Sequence, residues 1–229
     1  MAKKENDKKN TTLNVELALS RTEQFVEKNK KIFIIVIAAI VLVIGGYFGY
    51  KKFYLEPKSQ EAQEAMFMAE KYFAKDSLKL ALKGDGVNAG FIEIVDNYGM
   101  TPSGNLANYY AGICYLRLGQ FQNAIDYLSE FDSDDQMLGP IALGGIGDAN
   151  LELGNIDQAI EYYIQASEKS VNNFTTPIYL LKLAQAYETQ AKFEDAIKIY
   201  ERLRSEFVRT YEGREAEKFL ARLKAITNK

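Results

Sequence analysis

Few side chains in this sequence could do chemistry, and they are dispersed. The 229 residues include no histidine and one cysteine, Cys114. Without an imidazole the chain cannot form a Ser-His-Asp triad, a Cys-His dyad or a histidine-bearing zinc site. Cys114 follows Ile113 in an apolar helical pattern. We therefore predict that its thiol is a small buried hydrophobic group and not a nucleophile.

An acidic cluster is the first candidate for a metal site. Asp132, Asp134 and Asp135 suggest a calcium loop. The EF-hand pattern would then need glycine at Met137 and glutamate at Leu143, and neither is present. We predict a turn whose carboxylates cap a helix.

A glycine cluster is the candidate for a phosphate site. Gly144, Gly145 and Gly147 lie where a helix is expected, and no GxxxxGK motif follows. We predict that they allow close helix packing.

Glu188 and Glu201 are typical of solvated helix faces. The sequence therefore predicts no catalytic residue, no cofactor and no bound metal. An enzyme with paired carboxylates is the weakest of the functional classes that we consider.

The most apolar part of the chain lies near its N-terminus. Residues 32–50 (IFIIVIAAIVLVIGGYFGY) carry no charge. As a helix they would span about 28 Å, close to the hydrocarbon thickness of about 30 Å. A signal peptide would have a shorter apolar stretch and a cleavage site of small residues, so we predict a transmembrane helix. Gly45 and Gly49, four residues apart, are candidates for contact with another membrane helix.

Basic residues predict the direction of this helix. Residues 1–31 carry eight Lys and Arg, whereas the twenty residues after the span carry only Lys51, Lys52 and Lys58. The positive-inside rule predicts a cytoplasmic N-terminus and an external C-terminal domain, which in a bacterium is periplasmic. The capping-box pattern from Ser20 to Glu23 predicts a helix that begins near Arg21.

From residue 105 onward the sequence repeats itself. Three segments share an apolar stripe, a turn with a small residue and a second stripe, which predicts helical hairpins. Three positions align at offsets of 35 and 37 residues: Gly119, Gly154 and Ala191; Ala124, Ala159 and Ala196; and Phe121, Ile156 and Phe193. Pro102, Pro140 and Pro177 recur near the predicted helix starts, and Thr176 is the predicted N-cap before Pro177.

These units resemble tetratricopeptide repeats, whose pattern is W-x2-L-G-x2-Y, then A-x3-F, then P. The first unit supplies Gly112, Tyr115, Gly119, Ala124 and Leu128, and the third supplies Leu183, Tyr187, Ala196 and Tyr200. The second unit has Asn150 in place of tyrosine, and Asn108, Leu143 and Leu180 replace tryptophan. The resemblance implies an all-α fold, in which one N-terminal transmembrane helix precedes a solenoid of hairpins.

The predicted organisation has five parts. They are a flexible basic tail at 1–20, the membrane helix with its flanks at 21–56, a degenerate N-terminal hairpin at 57–104, three repeats at 105–210 and a C-terminal capping helix at 211–229. Within the degenerate hairpin we predict a helix over 60–82 and then an apolar stripe formed by Val87, Phe91, Ile94, Val95 and Tyr98.

The arrangement of tail, span, lysine pair and repeats is similar to that of the YfgM-like ancillary subunits of the Sec translocon. That resemblance implies a bacterial inner-membrane protein whose repeat domain faces the periplasm. Its partners would be translocon subunits, periplasmic chaperones or exported chains. The sequence indicates neither a nucleic-acid nor a small-molecule partner.

In tetratricopeptide repeats the first helix of each hairpin lines a concave groove. The matching positions would give a mixed apolar and acidic lining: Tyr109, Ile113, Leu116, Arg117, Asp148, Leu151, Glu152, Leu181, Gln185 and Glu188. Such a lining suits partner segments of apolar and basic character. The first hypothesis is thus a translocon-associated interaction module, and the alternative is a membrane-tethered scaffold of another envelope complex.

Overall fold

The computed structural model describes residues 28–227. The predicted tail of residues 1–20 and the predicted helix start near Arg21 lie outside the described residues. All regular structure within 28–227 is helical. The described residues divide into two units, the first ending at Pro57 and the second beginning at Lys58.

The elements follow one another with short connections. They are α1 (Lys30–Tyr50), a π-helical turn (Lys51–Leu55), α2 (Glu56–Ala74), α3 (Leu78–Lys83), α4 (Phe91–Tyr98), α5 (Pro102–Arg117), α6 (Phe121–Glu130), α7 (Leu138–Glu152), α8 (Ile156–Glu168), α9 (Thr175–Thr189), α10 (Phe193–Glu206) and α11 (Tyr211–Thr227).

The first unit contains α1, which buries none of its residues. The helical segment Lys30–Ala74, to which α1 belongs, is the one described helix that is long and apolar enough to cross a membrane. After α1 the helix widens into the π-helical turn. There the Lys52 ammonium lies 2.9 Å from the Glu56 carboxylate, and the rings of Tyr50 and Tyr54 stack at 5.3 Å.

The second unit is a stack of helical hairpins. The hairpins are α5–α6, α7–α8 and α9–α10; α4 packs on α5, and α11 packs on α10. The apolar stripe of each helix is buried against its neighbours. The second helices carry the aligned alanines Ala124, Ala159 and Ala196, which are fully buried. Because alanine adds only one methyl group, the partner helices can approach closely at these points.

The three hairpin turns are built alike. In each, the amide of the residue after the turn donates to the carbonyl five residues earlier at 2.9 Å: Gln120 to Tyr115, Asn155 to Asn150 and Lys192 to Tyr187. This bond defines the Schellman motif, which requires a left-handed residue at the helix end. Gly119, Gly154 and Ala191 occupy that position with φ of 71°, 80° and 55°. The alignment made from the sequence is therefore confirmed at the turns.

The first helices of the hairpins are capped by side chains. The Asp135 carboxylate accepts hydrogen bonds from the amides of Met137 (2.7 Å) and Leu138 (2.8 Å), as the acidic cluster predicted. These bonds hold the pKa of Asp135 below its usual value. Thr101 and Thr210 cap α5 and α11 in a common way, since each hydroxyl accepts from the amide three residues later.

Three predictions about helix boundaries were wrong. The helix predicted over 60–82 is interrupted after Ala74, because Asp76 adopts a left-handed conformation (φ 59°). Val87 is almost fully exposed in the loop before α4 and belongs to no apolar stripe. Thr176 does not cap α9: the helix begins at Thr175, and the Asn172 side chain accepts hydrogen bonds from the amides of Phe174 and Thr175.

The left-handed turns give a matched test of backbone strain. Gly119→Ala should lower the free energy of unfolding by about 1 kcal/mol, because an L-residue is disfavoured at this φ. The added methyl would meet no atom within 4 Å, so no steric clash contributes. Ala191→Gly should act in the opposite direction. Chemical denaturation followed by circular dichroism measures both, and a stabilising Gly119→Ala would contradict the strain argument.

Candidate functional site

The predicted groove residues lie on helices that contact one another. The first helices form a series in which α5 contacts α7, α7 contacts α9, and α9 contacts α11. All ten predicted residues belong to α5, α7 and α9. We call the exposed side of this series the first-helix face. The structure thus brings the ten residues onto adjacent elements.

The glycine cluster of α7 lets three neighbours approach. A side-chain carbon on Gly144 would overlap the ring of Tyr179 on α9. On Gly147 it would come within 2.6 Å of the Tyr163 ring of α8, and on Gly145 within 2.9 Å of Leu128 on α6. The prediction that these glycines serve close helix packing is confirmed.

Asp148 of α7 binds two neighbouring helices. Its Oδ1 accepts a hydrogen bond of 2.8 Å from the Tyr163 hydroxyl on α8. The Lys182 ammonium on α9 donates to Oδ1 at 2.7 Å and to Oδ2 at 2.6 Å. The carboxylate and the ammonium are both about one-third exposed. Asp148 is therefore already bound within the chain, to its own hairpin and to the next.

Glu188 of α9 repeats this arrangement one hairpin later. Its Oε1 accepts a bond of 2.7 Å from the Tyr200 hydroxyl on α10. The Arg222 guanidinium on α11 donates to Oε1 at 2.7 Å and to Oε2 at 2.6 Å. Burial and the adjacent carboxylate raise the pKa of the Tyr200 hydroxyl, and likewise that of Tyr163. Both phenols therefore remain donors at physiological pH.

We call these two triads the carboxylate clamps, namely Tyr163–Asp148–Lys182 and Tyr200–Glu188–Arg222. In each, the cation follows the acid by 34 residues. That separation equals the length of one tetratricopeptide repeat. Sequence reasoning assigned the two acids to the groove and missed the other four residues. An acid and a base one repeat apart were the signal that could have revealed them.

Arg117 is also bound within the chain. Its guanidinium donates to Asp76 at 2.8 Å and lies 5.7 Å from the ring centre of Phe73. Three of the four charged residues predicted for the groove thus have internal partners; Glu152, the fourth, is exposed at the end of α7. The first-helix face is therefore less acidic than predicted.

The uncharged predicted residues differ in exposure. Tyr109 and Ile113 are half-buried and pack beside the small core between the first two hairpins. Leu116 and Leu181 are also half-buried, Gln185 is exposed, and Leu151 retains 37% of its surface. These side chains can bury further apolar area when a partner segment covers the face.

The remaining candidate groups are structural. Cys114 is fully buried, and burial raises the pKa of its thiol to about 12, so the nucleophilic thiolate is disfavoured. Asn150, which replaces a tyrosine in the second unit, is buried and donates to the Ile146 carbonyl at 2.9 Å. Within residues 28–227 no three His, Cys, Asp or Glu side chains are grouped so as to hold a metal ion.

Comparison with known proteins identifies the repeats. One family model described as "Tetratricopeptide repeat" matches residues 106–134 and 179–208, and a second with the same description matches residues 141–168. The chain therefore contains tetratricopeptide repeats. No curated protein gives a significant match.

Solved structures agree on the fold. The chain is similar to a protein of Podosopora anserina described as "kinesin light chain nearly identical TPR-like repeats", at 16% identity and a TM-score of 0.56. A single-substitution variant of that protein matches at 16% identity and a TM-score of 0.55. Each match covers 75% of this chain and 88% of the other. The likeness shows an all-helical solenoid of this repeat class.

The clamps predict energetic coupling between hairpins. Asp148→Asn and Lys182→Met should each lower the free energy of unfolding by about 1 kcal/mol, because each leaves a partly buried partner unsatisfied. The double variant should lower the free energy of unfolding by less than the sum of the two single effects, and the difference, the coupling energy, should be about 0.5–1 kcal/mol. Asp195 and Lys198, an exposed pair at 2.9 Å, provide the matched control and should couple weakly. Additive effects at Asp148 and Lys182 would contradict the clamp.

Proposed function

We propose that this protein is a membrane-anchored interaction module whose first-helix face binds segments of partner proteins. The supporting observation is the continuous series α5, α7, α9 and α11, whose first three members carry one exposed leucine, Leu151, and two half-buried leucines, Leu116 and Leu181. Leu116, Leu151 and Leu181 supply apolar contacts on three successive helices. Because the clamps neutralise Asp148 and Glu188, apolar burial makes the larger contribution to binding.

The anchor in this proposal is α1. Its apolar side chains are exposed along the whole helix, which is the expected state of a helix whose surroundings are lipid. Lys30 and Lys31 at one end and Lys51 and Lys52 at the other place charge where lipid headgroups would lie. The excess of basic residues before the span favours a cytoplasmic N-terminus and a periplasmic repeat domain. Gly45 and Gly49 provide a contact surface for another membrane helix.

The setting that we propose is the bacterial Sec translocon. The support is the resemblance of tail, span and repeats to the YfgM-like ancillary subunits. In this setting the anchor holds a weak binding face near emerging chains or their chaperones, so that a modest affinity suffices at the raised local concentration. The alternative is a scaffold for another envelope complex. The same anchor and the same repeats would suit that function as well.

Charged substitutions on the first-helix face test the binding site. Leu116→Glu together with Leu151→Glu should reduce partner recovery at least tenfold after brief crosslinking of membranes, purification and mass spectrometry. The reason is that a carboxylate opposes apolar burial. The control is Leu80→Glu, a leucine on α3 outside the face that retains 42% of its surface, against 37% for Leu151. Helix content must stay unchanged. Equal recovery from both variants would contradict the proposed site, and recovery of a stable complex without channel subunits would favour the scaffold.

Topology can be tested independently of partners. In intact spheroplasts, added protease should degrade the repeat domain and leave a fragment of the N-terminal tail and span. Protection of the repeat domain would contradict the periplasmic location. Extraction of the chain by alkaline carbonate would contradict the anchor itself, while leaving the binding face to be tested on its own.

A further inference from the structure

Four large apolar residues recur at one position of the repeat and stay exposed. Met100, Met137, Phe174 and Tyr211 are spaced by 37 residues throughout. They retain 72%, 39%, 72% and 62% of their surface. Each lies at the start of the first helix of a unit, beside the loop that joins it to the preceding unit. We call this row the loop edge.

Local packing does not account for the loop edge. An apolar residue just before a helix often packs on the fourth residue of that helix. At Met100 that residue would be Asn105, whose amide instead donates to the Asp132 carbonyl at 2.7 Å. The high exposure of Phe174 and Tyr211 likewise shows that the core does not use them. Large apolar groups that recur exposed on one side of a protein are typical of an interaction surface.

The loops that carry the row are contiguous. The Asn172 side chain donates to the Gln136 carbonyl at 3.2 Å, which joins the loop of Met137 to the loop of Phe174. Phe174 and Tyr211 line one cavity of about 640 Å³. The loop edge is therefore continuous over the last three units of the solenoid.

The spacing of the row indicates the conformation of its partner. Because successive first helices are in contact and packed helix axes are about 8–10 Å apart, we expect a similar distance between equivalent residues. A polyproline II segment advances about 9 Å in three residues and returns every third side chain to the same face. In an amphipathic helix the apolar groups of adjacent turns lie about 5–6 Å apart, and only groups seven residues apart, at about 10.5 Å, reach the spacing of the row. The apolar groups between them would then have no counterpart in the row. An extended segment with an apolar residue at every third position matches the row.

Charge indicates the other property of the partner. Asp132 and Asp134 are exposed beside Met137, and Glu206 and Glu212 line the cavity beside Tyr211. The basic residues on these loops are Lys169 and Arg209, and the Arg214 guanidinium donates to the Arg209 carbonyl at 2.7 Å. Acidic residues therefore outnumber basic ones along the loops, which favours a basic partner and disfavours an anionic lipid surface.

We propose that the loop edge is a second protein-binding surface, which takes an extended segment carrying a large apolar residue at every third position and basic residues between. It lies on the loops and not on the first-helix face, and it does not depend on the function proposed above. A partner segment would place one apolar side chain against each of Met137, Phe174 and Tyr211.

A designed peptide tests this surface. The probe is a fluorescent peptide of four Leu-Pro-Lys units, titrated against the full chain in nanodiscs of neutral lipid, with empty nanodiscs as blank. Phe174→Ser together with Tyr211→Ser should weaken binding at least tenfold with unchanged helix content. Asp134→Asn should weaken it two- to fivefold at low salt. The matched control Leu151→Ser, on the first-helix face, should bind as the unsubstituted chain does.

Several results would overturn the proposal. Two concern the probe: the peptide fails to bind, or a peptide of four Ser-Pro-Lys units binds equally well. Two concern the variants: the double variant binds the peptide unchanged, or Leu151→Ser loses binding. The last result would assign the peptide to the first-helix face. A polarity-sensitive dye on Val171→Cys reports lipid contact, and Cys114 is buried, so the dye reacts at the new position. A blue shift in nanodiscs without peptide would assign the edge to lipid and also overturn the proposal.

Discussion

The close approach of neighbouring helices is the constraint on which the solenoid depends. Buried alanines on the second helices and the glycines of α7 set that distance. At Gly144 even one extra carbon would overlap the ring of Tyr179 on the following hairpin. If the helices moved apart, the carboxylate clamps, with bonds of 2.6 to 2.8 Å, would open as well. The polar contacts between hairpins are thus a consequence of close apolar packing.

The clamps in turn couple the second hairpin to the third, and the third hairpin to α11. A carboxylate that is withdrawn from water is unfavourable unless its oxygens find donors, and here both donors come from neighbouring helices. Tyr163 belongs to the second hairpin and Lys182 to the third. Tyr200 belongs to the third hairpin, and Arg222 belongs to α11, the helix that ends the stack. In a repeat protein, stability is close to a sum of unit terms and interface terms. The clamps contribute specific polar interactions to the interface terms, and the clamp at Glu188 stabilises the packing of α11 on α9.

The turns and the class of fold were predictable because small residues recur at fixed offsets. Gly119, Gly154 and Ala191 predicted the positions of the three turns, and the structure shows that each of them has a left-handed backbone conformation. The break at Asp76 was not predictable, because neither glycine nor proline precedes it. The helix that carries each groove residue followed from the repeat, but the ion pairs at Asp148 and Glu188 did not. Their partners lie a whole repeat away, and nothing within one hairpin points to them.

The distribution of charge separates two contributions to binding. Residues 53–229 include 18 basic and 26 acidic residues, a net charge of −8. On the first helices, Asp148, Glu188 and Arg117 are each neutralised by an internal partner. The unbalanced acidic charge therefore lies largely off the first-helix face, as at Asp132 and Asp134 on a loop. Net charge attracts a basic segment from a distance and raises its association rate, whereas burial of apolar groups governs how long it stays. Added salt should therefore slow association with the first-helix face more than it hastens dissociation.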